Sequence, residues 1–126
     1  YILFTHCTNP LIKVSTYEDF INYFVKNRQE YDSFNSVSEV KEFLILNQKA
    51  INFDFNKAPN SQNLPDVIKL NFAINILPTS LMFKKKSLIG NKPFFYKLKG
   101  EEGFDINTDL EFSYAEFLFD QAKNNL

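Results

Sequence analysis

A chain of 126 residues with 44% hydrophobic side chains, among them 15 Phe and six Tyr, is long enough to fold as one domain over residues 1–126. Its core should be aromatic and should need no disulfide framework. The charge balance, 14 basic against 15 acidic residues for a net −1, lacks the basic excess on which general nucleic-acid binding depends, so nucleic acid is not an expected partner. Apolar runs fall far short of the roughly 20 residues that cross a bilayer, so no membrane span is expected.

The cysteine count narrows the chemistry further. Cys7 is the single cysteine and His6 the single histidine, which removes an intramolecular disulfide, a C-x-x-C pair, a cysteine-rich zinc site and a multi-histidine metal site. No metal and no cofactor is expected. The chain starts at Tyr1 rather than Met, which leaves room for an upstream signal, anchor or domain and leaves the compartment open.

In chain order, residues 1–5 are apolar and rich in aromatic and branched side chains, as in a short strand. Asn9-Pro10 breaks it, and residues 11–14 can form a second extended piece. Ser15 and Thr16 stand three residues before Glu18 and Asp19, two overlapping capping boxes. Phe20, Ile21, Phe24 and Val25 then recur at helical spacing, predicting an amphipathic helix over 16–28. Ser36-Val37-Ser38-Glu39 is a further capping box and predicts a helix to about 47, with Val40, Phe43 and Leu44 inward. Ile51, Phe53 and Phe55 alternate with Asn52, Asp54 and Asn56, the pattern of a half-buried strand.

Residues 64–77 read two ways. Ile68, Leu70, Phe72, Ile74 and Ile76 alternate as in a strand, whereas Asn63, Pro65 and Asp66 form a helix start. An apolar strand is expected at 80–83, entered through Pro78, with a charged turn at 84–87 and a returning strand at 93–99 that ends at Gly100. Thr108-x-x-Glu111 and Ser113-x-x-Glu116 each start a terminal helix running to about 124, with Tyr114, Phe117, Leu118 and Ala122 inward.

The string Asn75-Ile76-Leu77-Pro78-Thr79-Ser80-Leu81-Met82-Phe83-Lys84 resembles the I-P-T-x-x-x-F-K segment of thioredoxins and protein disulfide isomerases, and residues 50–126 follow that family's order of elements. The resemblance implies an α/β fold, thioredoxin-like, with a central mixed sheet flanked by helices. It further implies a cis Pro78, a short helix at 64–75 and a hairpin through 80–83 and 93–99. The alternative is an α+β fold with an antiparallel sheet, in which 66–77 is a long strand and Pro78 is trans.

The family's C-x-x-C does not survive. Cys7-Thr8-Asn9-Pro10 puts proline at the second cysteine position, and the other placement, residues 31–38, holds no cysteine at all. The resemblance therefore implies a redox-inactive member, a protein-binding or scaffold domain within a larger assembly, rather than an enzyme. Its partner groove would be lined by Ile76, Leu77, Pro78 and Thr79, because relatives pair the backbone before this proline with extended polypeptide. The competing reading is a monothiol, glutaredoxin-like protein that uses Cys7 with glutathione.

That reading needs a lowered thiol pKa, yet the nearest helix start lies about eight residues on. His6, its neighbour on a strand, points to the opposite face. Lys84, Lys85 and Lys86, with Phe94, Phe95 and Tyr96, could form an interface for an acidic or phosphate-bearing partner. Against this, a turn normally solvates such a charge run, and strand aromatics normally fill a core. Glu101-Glu102 and Asp109 with Glu111 read as loop or capping residues rather than acid–base pairs.

Overall fold

The computed structural model describes residues 1–124. Ile2–Thr5 forms strand β1, and the helix expected next is α1, Val14–Asn27. Ser33–Val40 is β2, and a small hairpin follows, β3 (Ile45–Leu46) and β4 (Lys49–Ala50). Val67–Leu77 is β5, Thr79–Lys85 is α2, Pro93–Lys97 is β6 and Asp109–Asn124 is α3.

The expected class holds: a four-stranded mixed sheet in the order β1-β5-β2-β6, with three helices. β5 is antiparallel to β1 and β2, whereas β2 and β6 are parallel. β1, β2 and β6 thus run one way, and β5 runs the other way between the first two. No helix among the described residues is long and apolar enough to cross a membrane.

Several local expectations are corrected. Pro78 is trans, since no cis peptide occurs among the described residues. Residues 67–77 are strand, not helix. Val67, Ile68, Ile74 and Ile76 are branched residues that suit a pleated surface, and β5 has a partner on each side. The residues expected as a strand at 80–83 lie in α2, because Pro78 carries the carbonyl that accepts from the N–H groups of Leu81 and Met82. The hairpin is replaced by a helix and loop that carry the chain to β6, beside β2.

The capping box at 36–39 starts no helix, for those residues belong to the central strand β2. Residues 51–56 are bends and turns, and their polarity is inverted. Ile51 and Phe55 are exposed, while Asn52 is buried, donating to the Glu42 carbonyl and accepting from the Leu44 N–H.

The core lies between α1 and one face of the sheet. Phe20 and Phe24 of α1 pack on Phe34, Ala73, Ile74, Ile76 and Leu98, flanked by Tyr17, Tyr23, Tyr31, Phe94 and Tyr96. Rings meet mostly edge to face, as their quadrupoles favour: Phe24 on Phe34 at 5.3 Å and Phe20 on Tyr96 at 5.1 Å. Each such buried side chain contributes about 1.5–3 kcal/mol.

The N-terminus of α1 is capped from far along the chain rather than by its own capping boxes. Glu102, buried, accepts from the Lys13 N–H at 3.2 Å and the Thr16 hydroxyl at 2.6 Å. By contrast α3 uses the local box read from sequence: the Glu111 N–H donates to Thr108 Oγ1, and the Asn107 N–H donates to Glu111 Oε2.

Candidate functional site: the exposed shoulder of α3

The residues expected to form a partner groove lie where β5 ends and α2 begins. Ile76 and Leu77 are buried, and both flanks of this stretch are paired, Leu77 with Ile2, and Ile76 with Leu3 and Phe34. A further strand therefore has no free side at Ile76 to pair with. Pro78 caps α2 and Thr79 is its first residue, so neither lines an open cleft beside a strand.

Cys7 is exposed in the turn after β1. His6 packs edge-on against the Phe4 ring at 5.0 Å. The helix N-terminus nearest in sequence, that of α1, already has Glu102 on it. No group of three or more His, Cys, Asp or Glu side chains that could hold a metal ion occurs among the described residues.

The lysine and aromatic constellation also divides. Lys84 and Lys85 form the last turn of α2, and Lys86 ends it in the left-handed region at φ 50°. Lys85 donates to the Gly90 carbonyl at 2.7 Å, which closes the loop behind it. Phe94 and Tyr96 face α1, stacked on Tyr23 and edge-on to Phe20. Phe95 alone is turned the other way and exposed. These residues are not one stacking platform.

The charged cluster at the end of the β2–β5 pair is a surface network. Lys41 bridges Asp66 at 2.8 Å and Glu39 at 3.6 Å, and Lys97 reaches Glu39 at 3.3 Å. The Lys41 hydrogen bond and charge hold the Asp66 carboxyl below its ordinary value, and Asp66 raises Lys41 in return. Exposed pairs of this kind contribute little.

What remains is α3. The inward set expected for it is corrected: Ala115 is buried and Leu118 half-buried, while Tyr114, Phe117 and Ala122 are exposed. Tyr114 touches the Phe104 ring at 5.3 Å. Phe112 and Phe119, seven residues apart and so on one helical stripe, are 58% and 50% exposed. They border a groove of about 280 Å³, and Pro10, Leu11 and Ile106 form the opposite wall.

The loop that makes this wall is fixed. The Ile106 N–H donates to the Thr8 carbonyl at 2.9 Å, and buried Asn9 donates to the Phe104 carbonyl at 2.9 Å. Along the solvent side of the stripe the helix carries Asp109, Glu116 and Asp120, with Lys123 over the Phe119 ring at 4.6 Å. The result is an apolar groove with an acidic rim. The sequence signal for it was the Phe112–Phe119 spacing, which a helix with Tyr114 and Phe117 inward hides. No protein-family model matches the chain, and no curated protein matches it.

Proposed function

We propose that this chain is a non-catalytic protein-binding domain of thioredoxin-like α/β layering, serving as a docking module or subunit of a larger assembly. The observation that carries the reading is the α3 shoulder, an apolar stripe of Phe112 and Phe119 over a fixed groove with carboxylates along its rim. Contiguous apolar surface with a polar rim is the mark of an interaction site. An amphipathic helix with an apolar stripe and flanking lysines is the complement of this surface in shape and charge.

The mixed sheet flanked by helices supports kinship with the thioredoxin-like superfamily. The trans Pro78 and the helical residues 79–85 stand against a residue-by-residue carry-over of its proline segment.

The test is a fluorescence titration with a synthetic helix bearing a leucine stripe and lysine flanks. Saturable binding is expected, weakened by Phe112→Ser and Phe119→Ser and by added salt, and unchanged by Cys7→Ser. Absence of saturable binding, or binding indifferent to both phenylalanine variants, ends this reading.

The exposure of Cys7 favours a second reading, a monothiol redox protein acting with glutathione. Its rate with a thiol-specific reagent, followed from pH 5 to 9, decides the matter. A midpoint well below about 8.5, the ordinary thiol value, supports redox work, and an ordinary midpoint leaves Cys7 a plain surface thiol.

A further inference from the structure

The two outer strands of the sheet are defended unequally. β6, one edge, begins with Pro93, which has no N–H to offer, and ends with Lys97. Proline and lysine are the usual means by which an edge avoids pairing with another chain. β1, the other edge, reads Ile-Leu-Phe-Thr. It has no proline and no charge, and its pairing with β5 runs without a bulge. Nothing in it opposes addition of a further strand.

A second feature lies above the same edge. Tyr17 of α1 meets Thr5 of β1 through their hydroxyls at 2.8 Å, and Phe24 meets the Tyr1 ring at 4.9 Å. Phe20 and Tyr23 instead lean toward β6. On a helix of 3.6 residues per turn, the line beside Tyr17 and Phe24, away from Phe20 and Tyr23, carries Val14, Glu18, Ile21, Val25 and Arg28. That line overhangs the β1 edge. Val14, Ile21 and Val25 are exposed, as are Tyr1 and Leu3 below them. An unguarded strand edge thus lies under an unpartnered apolar helix stripe.

From this edge we infer that the chain forms a two-fold dimer, β1 pairing antiparallel with β1 of a second copy and the α1 stripes closing over the joint. The occupant is a second copy because the surface complements itself. Two antiparallel α1 helices related by a two-fold axis level with residue 23 place Ile21 against Val25 and Glu18 against Arg28, each contact made twice. The contact of Tyr1 with Phe24 and of Thr5 with Tyr17 puts Ile2 near that same level. An axis at Ile2 pairs residues 1–3 of the two copies and sets Tyr1 of one opposite Leu3 of the other on the α1 side of an eight-stranded sheet. Such an isologous joint is the commonest oligomeric contact and closes upon itself. It uses a surface separate from α3 and does not rest on the reading of that helix.

Sedimentation equilibrium over a range of concentrations tests it. The expected mass is that of a dimer, with Leu3→Lys and Ile21→Asp each raising the dissociation constant by roughly tenfold or more, the scale of one interface anchor lost. Circular dichroism verifies that these exposed substitutions leave the fold intact. Glu18→Arg and Arg28→Glu should each weaken the dimer, and the two together should restore it, which a purely structural role for either residue would not do. Phe112→Ser should leave the mass unchanged. A monomer at every concentration overturns the inference. So does a dimer that ignores Leu3→Lys and Ile21→Asp but dissociates with Phe112→Ser.

Discussion

The two faces of the sheet are fastened differently. Under α1 the contacts are aromatic and aliphatic, with Phe34 of β2 at the centre. On the other face, one residue away along the same strand, lie Ser33 and Asn35, both fully buried, and across from Asn35 lies buried Asn75. These polar groups are fully engaged. Asn35 Nδ2 donates to Asn75 Oδ1 and to the Leu88 carbonyl at 2.9 Å each, and Ser33 Oγ donates to Asn35 Oδ1 at 3.2 Å. The Gly90 N–H donates to Ser33 Oγ at 2.8 Å, and Asn75 Nδ2 donates to the Phe72 carbonyl. The aromatic face supplies burial without direction, whereas the polar face fixes which atoms meet. It bolts the loop after α2 onto the sheet.

The polar face extends into an irregularity of β5. Between Asn35 and Val37 the register of β2 on β5 jumps, and Phe72 sits at φ 54°. Side chains replace the missing ladder bonds there. The Ile74 N–H donates to Ser36 Oγ at 2.8 Å, the Ala73 N–H to Asn71 Oδ1 at 3.1 Å, and Asn71 Nδ2 to Ser38 Oγ at 2.8 Å. A bulge of this kind survives in a central strand because side chains bond the backbone groups it frees, here the N–H groups of Ala73 and Ile74 and the Phe72 carbonyl. Gly103 lies so close to Ser38 and Asn71 that a Cβ there would collide with them.

The comparison is sharpest at adjacent positions of β2. Phe34→Ala should have the largest effect, about 3–5 kcal/mol from lost burial plus the cavity left among rigid rings, read by chemical denaturation. Asn35→Ala should cost less, about 1–3 kcal/mol for the buried Asn75 Oδ1 that it orphans, since the Leu88 carbonyl is only part-buried and can turn to water. Asn75→Leu alone should also destabilise. The pair Asn35→Leu with Asn75→Leu should cost less than the sum of the singles, because neighbours that lose each other are not additive. Additive costs would mean that the two amides act separately and that the polar face is no network.

This contrast also explains which parts of the fold were legible in the sequence. α1 and α3 were legible as helices, though not in the capping of the first or the inward set of the second, because Phe20 and Phe24 repeat at helical spacing and Thr108-x-x-Glu111 is a local box that closes on itself. β2 was misread because its second face is polar. Ser33 and Asn35 look like exposed residues, and their burial depends on β5, the loop at 88–90 and β6, none of them local. Residues 64–75 carried both a helix start and a strand alternation, and only pairing on both flanks decided between them. Residues 51–56 misled through polarity, since Asn52 is buried by bonds to Glu42 and Leu44 while Ile51 is exposed. Of the proposed site, the helix was visible, but the stripe left uncovered depends on how Pro10, Leu11 and Ile106 meet it.

A third perturbation probes the edge of the aromatic face. Glu102 caps α1 across the whole length of the chain, so Glu102→Ala should free the first turn of the helix that carries Phe20 and Phe24. The expected loss is about 1–2 kcal/mol, the scale of an N-cap with a favourable helix dipole. Glu102→Gln should retain part of it through the amide oxygen. Amide hydrogen exchange should quicken in the first turn of α1 and leave β5 unaffected. Uniform quickening would show that the carboxylate supports the whole sheet rather than one helix end.

The smallest effect belongs to the charged end of the β2–β5 pair, outside both faces. Asp66 has its carboxyl held below the ordinary value of 3.8 by the hydrogen bond and charge of Lys41. A depressed carboxyl contributes stability that is present above the unfolded value and is lost as pH falls through the folded one. The contribution should therefore be intact at neutral pH and disappear only below about pH 4. Both side chains are exposed to screening, so Asp66→Asn should shift the neutral-pH unfolding midpoint slightly, and the shift should shrink as salt is added. Once the pH has fallen below the folded carboxyl's own lowered value, the variant and the parent chain should converge. A large salt-independent loss would place Asp66 with the buried belt of Ser33, Asn35 and Asn75, and would erase the distinction between fastening inside the sheet and solvated charge at its end.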